Sequence, residues 1–280
     1  MPELPEAETI ARELHTLMRG ATLDRVTLRR RDIVHGDPRP LSRILPGRIV
    51  RGVRRRAKRV ILDLDPHTEL VFHLGMSGRL TLQPHDDPVE KHTHLRIRLR
   101  DSDQELRFRD PRRFGGVWCL TGSSRHVGKR LGPLGGEPLE MKPAAFRRLL
   151  QRRRQIKALL LDQRVIAGIG NIYCDEALHA ANIHPVTQAA QLESSEAGRL
   201  LRAIKSTLNK AIRFNGTTLK DYRRADGTTG SFRQFHRVYD RKGKPCQTCE
   251  TPIERIIAAG RSSFFCPRCQ PNGKRSAVSS

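Results

Sequence analysis

The chain has 280 residues, enough for two or three domains, and sets 53 Lys+Arg against 29 Asp+Glu, a formal charge of +24 with a pI near 11. So basic a chain is built to meet a polyanion, nucleic acid first; with no apolar run near about 18 residues and an acidic, helical start, neither a membrane span nor a secretory leader is expected. Aromatic residues at 5% exclude an extended single-strand stacking platform. The six cysteines, four of them near the C-terminal end, suit a cytoplasmic chain whose thiols hold metal.

The chain opens Met1-Pro2-Glu3-Leu4-Pro5-Glu6. Proline at the second position is compatible with removal of Met1, which would leave a secondary amine beside the Glu3 carboxylate. An α-amino group titrates near about 8, so it can act as a nucleophile around neutral pH when a neighbour takes its proton. Taken alone, the six residues read most simply as helix punctuation. Leu4 to Arg19 is expected to be one helix, with Pro5 at its first position, Glu6 and Glu8 favouring its N-terminal end and Gly20 closing it. Ile10, Leu14, Leu17 and Met18 form its apolar stripe.

From residue 22 to about 120 the period falls to two. Val60 to Asp65 and Leu70 to Leu74 alternate, and Leu95, Ile97 and Leu99 alternate with Arg96, Arg98 and Arg100. Short strands punctuated by Gly and Pro predict a β-sandwich or a barrel-like domain. The run Arg54-Arg55-Arg56-Ala57-Lys58-Arg59 reads either as a solvated, charge-protected sheet edge or as a phosphate clamp.

Leu131 to Gly136 reads as a linker, and helical patterns follow it. Asn171, after Gly168-Ile169-Gly170, is expected to cap a helix running to Ala181, and a longer helix spans roughly Glu196 to Phe214. Residues 217–235 read as a polar, mobile loop, either a lid or plain surface. Cys246-x2-Cys249 and Cys266-x2-Cys269, with sixteen residues between the pairs, have the spacing of a closed tetrahedral zinc site. Ile253 to Ala258 and Ser262 to Phe265 are the expected strands between them, with Ala259-Gly260-Arg261 at the tip. Cys119 and Cys174 read as buried thiols.

Six of these features occur in one order: Pro2-Glu3-Leu4-Pro5-Glu6, Arg56-Ala57-Lys58, His73-Leu74-Gly75-Met76-Ser77-Gly78, Asp110-Pro111-Arg112-Arg113-Phe114-Gly115, Gly168-Ile169-Gly170-Asn171 and the four cysteines. Together they closely resemble the bacterial formamidopyrimidine-DNA glycosylase family, the 8-oxoguanine repair enzymes, from residue 2 to about 270. The resemblance implies an α+β chain. An N-terminal catalytic β-sandwich (1–134) is followed by a helix–two-turns–helix DNA-binding domain (135–235), a zinc-finger hairpin (236–270) and a disordered tail (271–280), with DNA between the first domain and the other two.

The family pattern carries over residue by residue. It makes Pro2 the nucleophile and Glu3 the acid/base, with Lys58 and Arg261 on the phosphates flanking the lesion. Met76, Arg112 and Phe114 fill the gap left by the flipped nucleotide, with Arg112 facing the orphaned cytosine. His73, His92, Arg152, Asn171 and Tyr239 fall on DNA-contact positions; Arg152 stands where the pattern has lysine, exchanging a point charge for a fork. Cys246, Cys249, Cys266 and Cys269 hold one structural Zn2+.

The implied activity is base-excision repair. A bifunctional glycosylase and abasic-site lyase removes 8-oxoguanine and formamidopyrimidines through an imine, then carries out β,δ-elimination. The implied partner is duplex DNA with oxidised bases or abasic sites, met by a nucleoid-associated monomer with no membrane role. Tyr222 to Gly230, with Arg223 and Arg224, departs from the family's lesion loop, which leaves lesion choice less determined than reaction type. Two rivals are an endonuclease VIII-like enzyme for oxidised pyrimidines and a non-enzymatic zinc-dependent DNA-binding protein. Leu4 favours the purine branch, since the other branch usually reads Pro-Glu-Gly-Pro.

Overall fold

In a computed structural model the described residues are 2–36, 39–122 and 132–272. The expected tail beyond residue 272 and the first residue of the expected linker, Leu131, lie outside them. The chain divides into two units, Met1–Pro133 with Ala211–Arg233, and Leu134–Lys210 with Gln234–Ser280.

In the first unit, helix α1 (Leu4–Met18) buries Leu4, Ala7, Ile10, Ala11, Leu14 and Met18, spaced three and four apart. Leu17, expected in that stripe, is 56% exposed, because it falls at the edge of the apolar arc in the last turn. The helix begins at Leu4, as expected, so Pro5 occupies its second position rather than its first; Glu3 is the N-cap, and Arg19 is the C-cap after a last helical residue at Met18. Proline remains harmless there, since the first-turn amides lack helical partners anyway.

Among the described residues nine strands follow: β1 (Leu23–Leu28), β2 (Val34–Gly36), β3 (Val50–Arg56), β4 (Arg59–Leu64), β5 (Thr68–His73), β6 (Arg79–Pro84), β7 (Thr93–Leu99), β8 (Gln104–Arg109) and β9 (Gly116–Thr121). The short helix α2 (Leu41–Ile44) lies between β2 and β3. The strands form a four-stranded sheet in the order β1-β7-β8-β6 and a five-stranded sheet in the order β2-β9-β5-β4-β3. Period-two alternation turns Leu95, Ile97, Leu106 and Phe108 of one sheet and Val60, Leu62, Leu70 and Phe72 of the other into one core. Phe72 and Phe108 meet across it with ring centroids 5.8 Å apart. Burying each contributes about 1.5–3 kcal/mol. The sandwich expectation holds.

The second unit begins with α3 (Pro143–Leu150), α4 (Ile156–Leu161) and α5 (Asn171–Ala180). The twenty-residue α6 (Ser194–Arg213) follows, its residues from Ala211 onward belonging to the first unit, and then the hairpin β10 (Glu254–Ala258) and β11 (Arg261–Phe265). Gly170, in extended backbone, is the N-cap of α5, and Asn171 is its first helical residue, which corrects the expected capping role. The amide of Asn171 turns instead to the hairpin, donating from Nδ2 to the Ser262 carbonyl at 2.9 Å. Arg261 is likewise the first residue of β11, paired with Ala258. Ala259 and Gly260, both with positive φ, make a two-residue turn, and this tight geometry leaves no room for a third residue at the tip.

Candidate reaction centre and nucleic-acid interface

Pro2 and Glu3 are buried at the head of α1, and Glu3 is only 2% exposed. A capping box holds them. The Glu3 carboxylate accepts from the backbone of Glu6, and the Glu3 N–H donates to Glu6 Oε2 at 2.7 Å. The second oxygen, Glu6 Oε1, accepts from the Thr217 N–H at 2.7 Å, 211 residues away in sequence. One buried carboxylate therefore joins the residue after Pro2 to the start of the 217–235 segment.

The basic run at 54–59 resolves into separate roles. β3 is a sheet edge, as the charge-protected reading requires, and Arg54 is spent on Asp63 and Glu69. Arg55 is tucked under α1, with Nε 2.7 Å from Glu8 and Nη1 bonding to the Ala57 carbonyl. That pair fixes the first turns of α1 to the β3–β4 turn. Lys58 lies in this turn, only 8% exposed, after Ala57 at φ 55.

His73 ends β5, paired with Arg59 on one side and Gly116 on the other. Burial first, then the Arg59 and Lys58 charges, lower its pKa from 6.5 to about 4. The imidazole is therefore neutral at physiological pH. On unfolding, its pKa returns to 6.5, so the unfolded chain gains a proton as pH falls from 6.5 to about 4. The folded state should lose at most about 3 kcal/mol over that window. In urea titrations the stability difference between wild type and His73→Gln should shift in the variant's favour by up to about 3 kcal/mol between pH 7 and about pH 4. Parallel curves would reject the assignment.

Beyond His73 two loops meet backbone to backbone. A Cβ on Gly75 would stand 2.5 Å from the Gly115 nitrogen, and one on Gly115 would stand 2.4 Å from the His73 carbonyl oxygen. Any larger residue would push the loops apart. Asp110, fully buried, ties them together: Ser77 Oγ donates to Oδ1 at 2.7 Å and the Gly115 N–H to Oδ2 at 2.8 Å. The Arg112 N–H in turn donates to Ser77 Oγ at 3.3 Å. Met76, 42% exposed, and Phe114, 56% exposed, project from these loops, so neither packs in the core. The Arg112 guanidinium rests 4.5 Å above the Phe114 ring, a cation–π contact. His92 is exposed at φ 70, and its carbonyl accepts from the Asp110 N–H at 3.1 Å.

In the second unit, Cys246, Cys249, Cys266 and Cys269 place their sulfurs within 4.8 Å of one another. Sulfur–sulfur separations of 3.4 Å and 3.9 Å are too long for disulfides and close to the roughly 3.8 Å edge of a tetrahedral zinc thiolate site with bonds of about 2.3 Å. The donor set fits one structural zinc. Two further amides, of Thr248 and Cys269, donate to Cys246 and Cys266 sulfurs at 3.4 Å.

The hairpin is docked on α5 by a buried polar lattice. Lys157, with no exposed surface, donates to Asp175 Oδ1 at 2.6 Å and to the Ser262 carbonyl at 3.1 Å. Asp175 Oδ2 accepts from the Phe264 N–H at 3.0 Å. Burial pushes the Asp175 carboxyl up to about 7, against the pull of Lys157 and the Phe264 amide. Glu176 gathers the consecutive amides of Arg237, Val238 and Tyr239. Tyr239 is thereby set 5.2 Å from the Phe264 ring. Arg261 and Arg152 are exposed, the latter in the turn after α3.

Removing one member of a buried ion pair leaves an uncompensated charge, at a cost of about 3–5 kcal/mol. Lys157→Met should lose that much in urea unfolding, and Lys157→Met/Asp175→Leu should lose clearly less. A double variant at least as damaged as the sum would contradict the pairing.

Family models match three stretches: the formamidopyrimidine-DNA glycosylase N-terminal domain over residues 1–117, the H2TH domain of the same enzyme over 134–223, and a zinc finger found in FPG and IleRS over 243–272. The chain belongs to the formamidopyrimidine-DNA glycosylase family. It is 42% identical over 280 residues to the formamidopyrimidine-DNA glycosylase of Thermus thermophilus, covering 98% of this chain and 100% of the relative. The Herpetosiphon aurantiacus enzyme is 41% identical over 277 residues, covering 96% and 100%. Among solved structures, MutM (FPG) from Thermus thermophilus superposes with a TM-score of 0.85 at 41% identity, covering 97% of this chain and 100% of that one. A Lactococcus lactis FPG mutant bound to a Fapy-dG-containing DNA gives 0.90 at 34% identity, again covering 97% and 100%.

The residues that sequence reading missed are the buried acids and their partners. The Glu3-x-x-Glu6 spacing could have revealed the capping box. Nothing local marks Asp110, Lys157, Asp175 or Glu176 as buried, because charged residues usually lie outside and their partners are distant in sequence.

Proposed function

We propose that this family member excises oxidised purines, 8-oxoguanine and formamidopyrimidines, from duplex DNA and then cleaves the abasic strand. Pro2 is the nucleophile once it is the first residue. The observation that carries this reading is the buried Pro2–Glu3 head of α1, with the Glu3 backbone pinned by Glu6.

The flipped nucleotide costs a few kcal/mol of unstacking, offset by Met76, Arg112 and Phe114 filling the gap. The Pro2 nitrogen bonds to C1′ as the glycosidic bond breaks, and the base leaves with its proton. Opening of the sugar ring gives an iminium. Loss of a C2′ proton to a carboxylate expels the 3′ phosphate, and a second elimination expels the 5′ phosphate. Glu3 moves these protons. Lys58 and Arg261 neutralise the departing phosphates, and His73, His92, Arg152, Asn171 and Tyr239 hold the strand. The zinc supplies no reaction chemistry; bound by Cys246, Cys249, Cys266 and Cys269, it staples the hairpin that carries Arg261. The enzyme works as a monomer at the nucleoid; among the described residues no helix is long and apolar enough to cross a membrane.

The test is borohydride trapping on an 8-oxoguanine:cytosine duplex, with protein shown by N-terminal sequencing to begin at Pro2. One covalent adduct is expected. No adduct would sink the imine mechanism, and trapping on dihydrouracil duplexes alone would move the substrate to oxidised pyrimidines.

A further inference from the structure

The segment expected to be a mobile loop is docked along one face of α1. Glu6, Thr9 and Glu13 lie at i, i+3 and i+7, two turns of one helical stripe. Glu6 accepts from the Thr217 N–H, as described. Thr9, whose hydroxyl donates to the Pro5 carbonyl at 2.9 Å, is the next residue of the stripe, and Tyr222, 5% exposed, donates its phenol to the Asn215 carbonyl at 3.1 Å. Glu13 closes the series. Its Oε2 accepts from the Ala225 N–H at 2.9 Å, and its Oε1 accepts from Arg224 Nε at 2.6 Å and lies 2.5 Å from Arg224 Nη2.

The far side of the segment is held as well. The Leu82 N–H on the edge strand β6 donates to the Ala225 carbonyl at 2.8 Å, and Arg79 Nε donates to the Asp221 carbonyl at 2.7 Å. Ala225 has no exposed surface and belongs to the sandwich core. Arg224 also braces the turn beyond, bonding Thr228 Oγ1 at 3.1 Å. A polar segment with no regular structure is thus tied at both ends to the helix whose head carries Pro2.

We propose that Glu13 and Arg224 form a latch that holds the 217–228 segment in a fixed pose over α1. They are thereby a positioning pair for recognition of the damaged base. This rests on the reading that the chain excises oxidised purines. A guanidinium fork against one carboxylate, with a backbone amide on its other oxygen, fixes direction as well as distance. A segment held in advance need not be ordered on binding, so the latch acts on base capture. An abasic site presents no base to capture, and its cleavage does not use the latch.

The test compares wild type with Glu13→Gln, Arg224→Gln and the charge swap Glu13→Arg/Arg224→Glu. Two measurements are made: hydrogen–deuterium exchange of peptides spanning 217–228 in the free full-length chain, and kcat/KM on 8-oxoguanine and on preformed abasic-site duplexes. Glu13 and Arg224 are both partly exposed, so the fold should survive. Each single variant is expected to speed exchange about tenfold or more and to lower base excision by about ten- to hundredfold. Abasic-site cleavage should stay within about twofold, and the swap should recover part of the loss.

Unchanged exchange in both single variants would overturn the latch. Faster exchange with an unchanged ratio of the two activities would overturn the positioning role. A wild type inactive on both duplexes would instead refute the proposed function, while the exchange arm would still decide whether the latch exists.

Discussion

Protein that retains Met1, or carries any N-terminal extension, is expected to give no borohydride adduct and to lose at least about 10³-fold in cleavage rate, the scale on which removal of a catalytic nucleophile acts. The zinc content and thermal unfolding of such protein should match those of the processed chain. An acylated proline nitrogen has no lone pair available for attack, whatever the surrounding side chains do. The contrast with Glu3→Gln is informative. That variant keeps the amine and the hydrogen-bond acceptor toward the Glu6 backbone, so it should still find its geometry while losing proton transfer. Comparable adduct yields from Met1-retaining and processed protein would remove Pro2 from the reaction and send the search to a lysine.

Features that repeat were legible: the apolar spacing of α1, the alternation of Leu95, Ile97 and Leu99, and the paired Cys-x2-Cys motifs. Each is a local period with one packing solution. Element ends were less so. Asn171 looked like a cap because its side chain commonly serves as one, but the Ser262 carbonyl, 91 residues away, binds its amide instead. The least legible stretch was 217–235. Its polar composition is that of a surface loop, yet Tyr222, Ala225 and Phe232 are all buried. The acids that hold it, Glu6 and Glu13, sit on α1, where sequence offers only a favourable helix start and a solvated face. Long-range partners of buried charge leave no period to read.

Extraction of zinc is the second large expected effect. The zinc-finger core consists of Val238, Cys246, Ile253 and Cys266, with Cys249, Phe264 and Cys269 packed against it, so more than half of its members are metal ligands. Without the ion, four thiols at these separations give little apolar burial to hold a hairpin of two five-residue strands. Structural zinc in small fingers contributes about 10–16 kcal/mol of apparent binding free energy near pH 7, and that energy is folding energy. Treatment with a strong chelator should release one zinc per chain and abolish amide protection in β10 and β11. The Ser262 carbonyl should then leave Lys157 and Asn171. The sandwich should keep its own unfolding transition, because its core contains no cysteine ligand. DNA cleavage should fall with zinc content rather than with sandwich stability, since Arg261, proposed above to neutralise a departing phosphate, loses its strand register opposite Ala258. Chelated protein that retained β10–β11 protection would mean that the α5 contacts alone support the hairpin. The cluster of four sulfurs would then be a consequence of the fold rather than its cause.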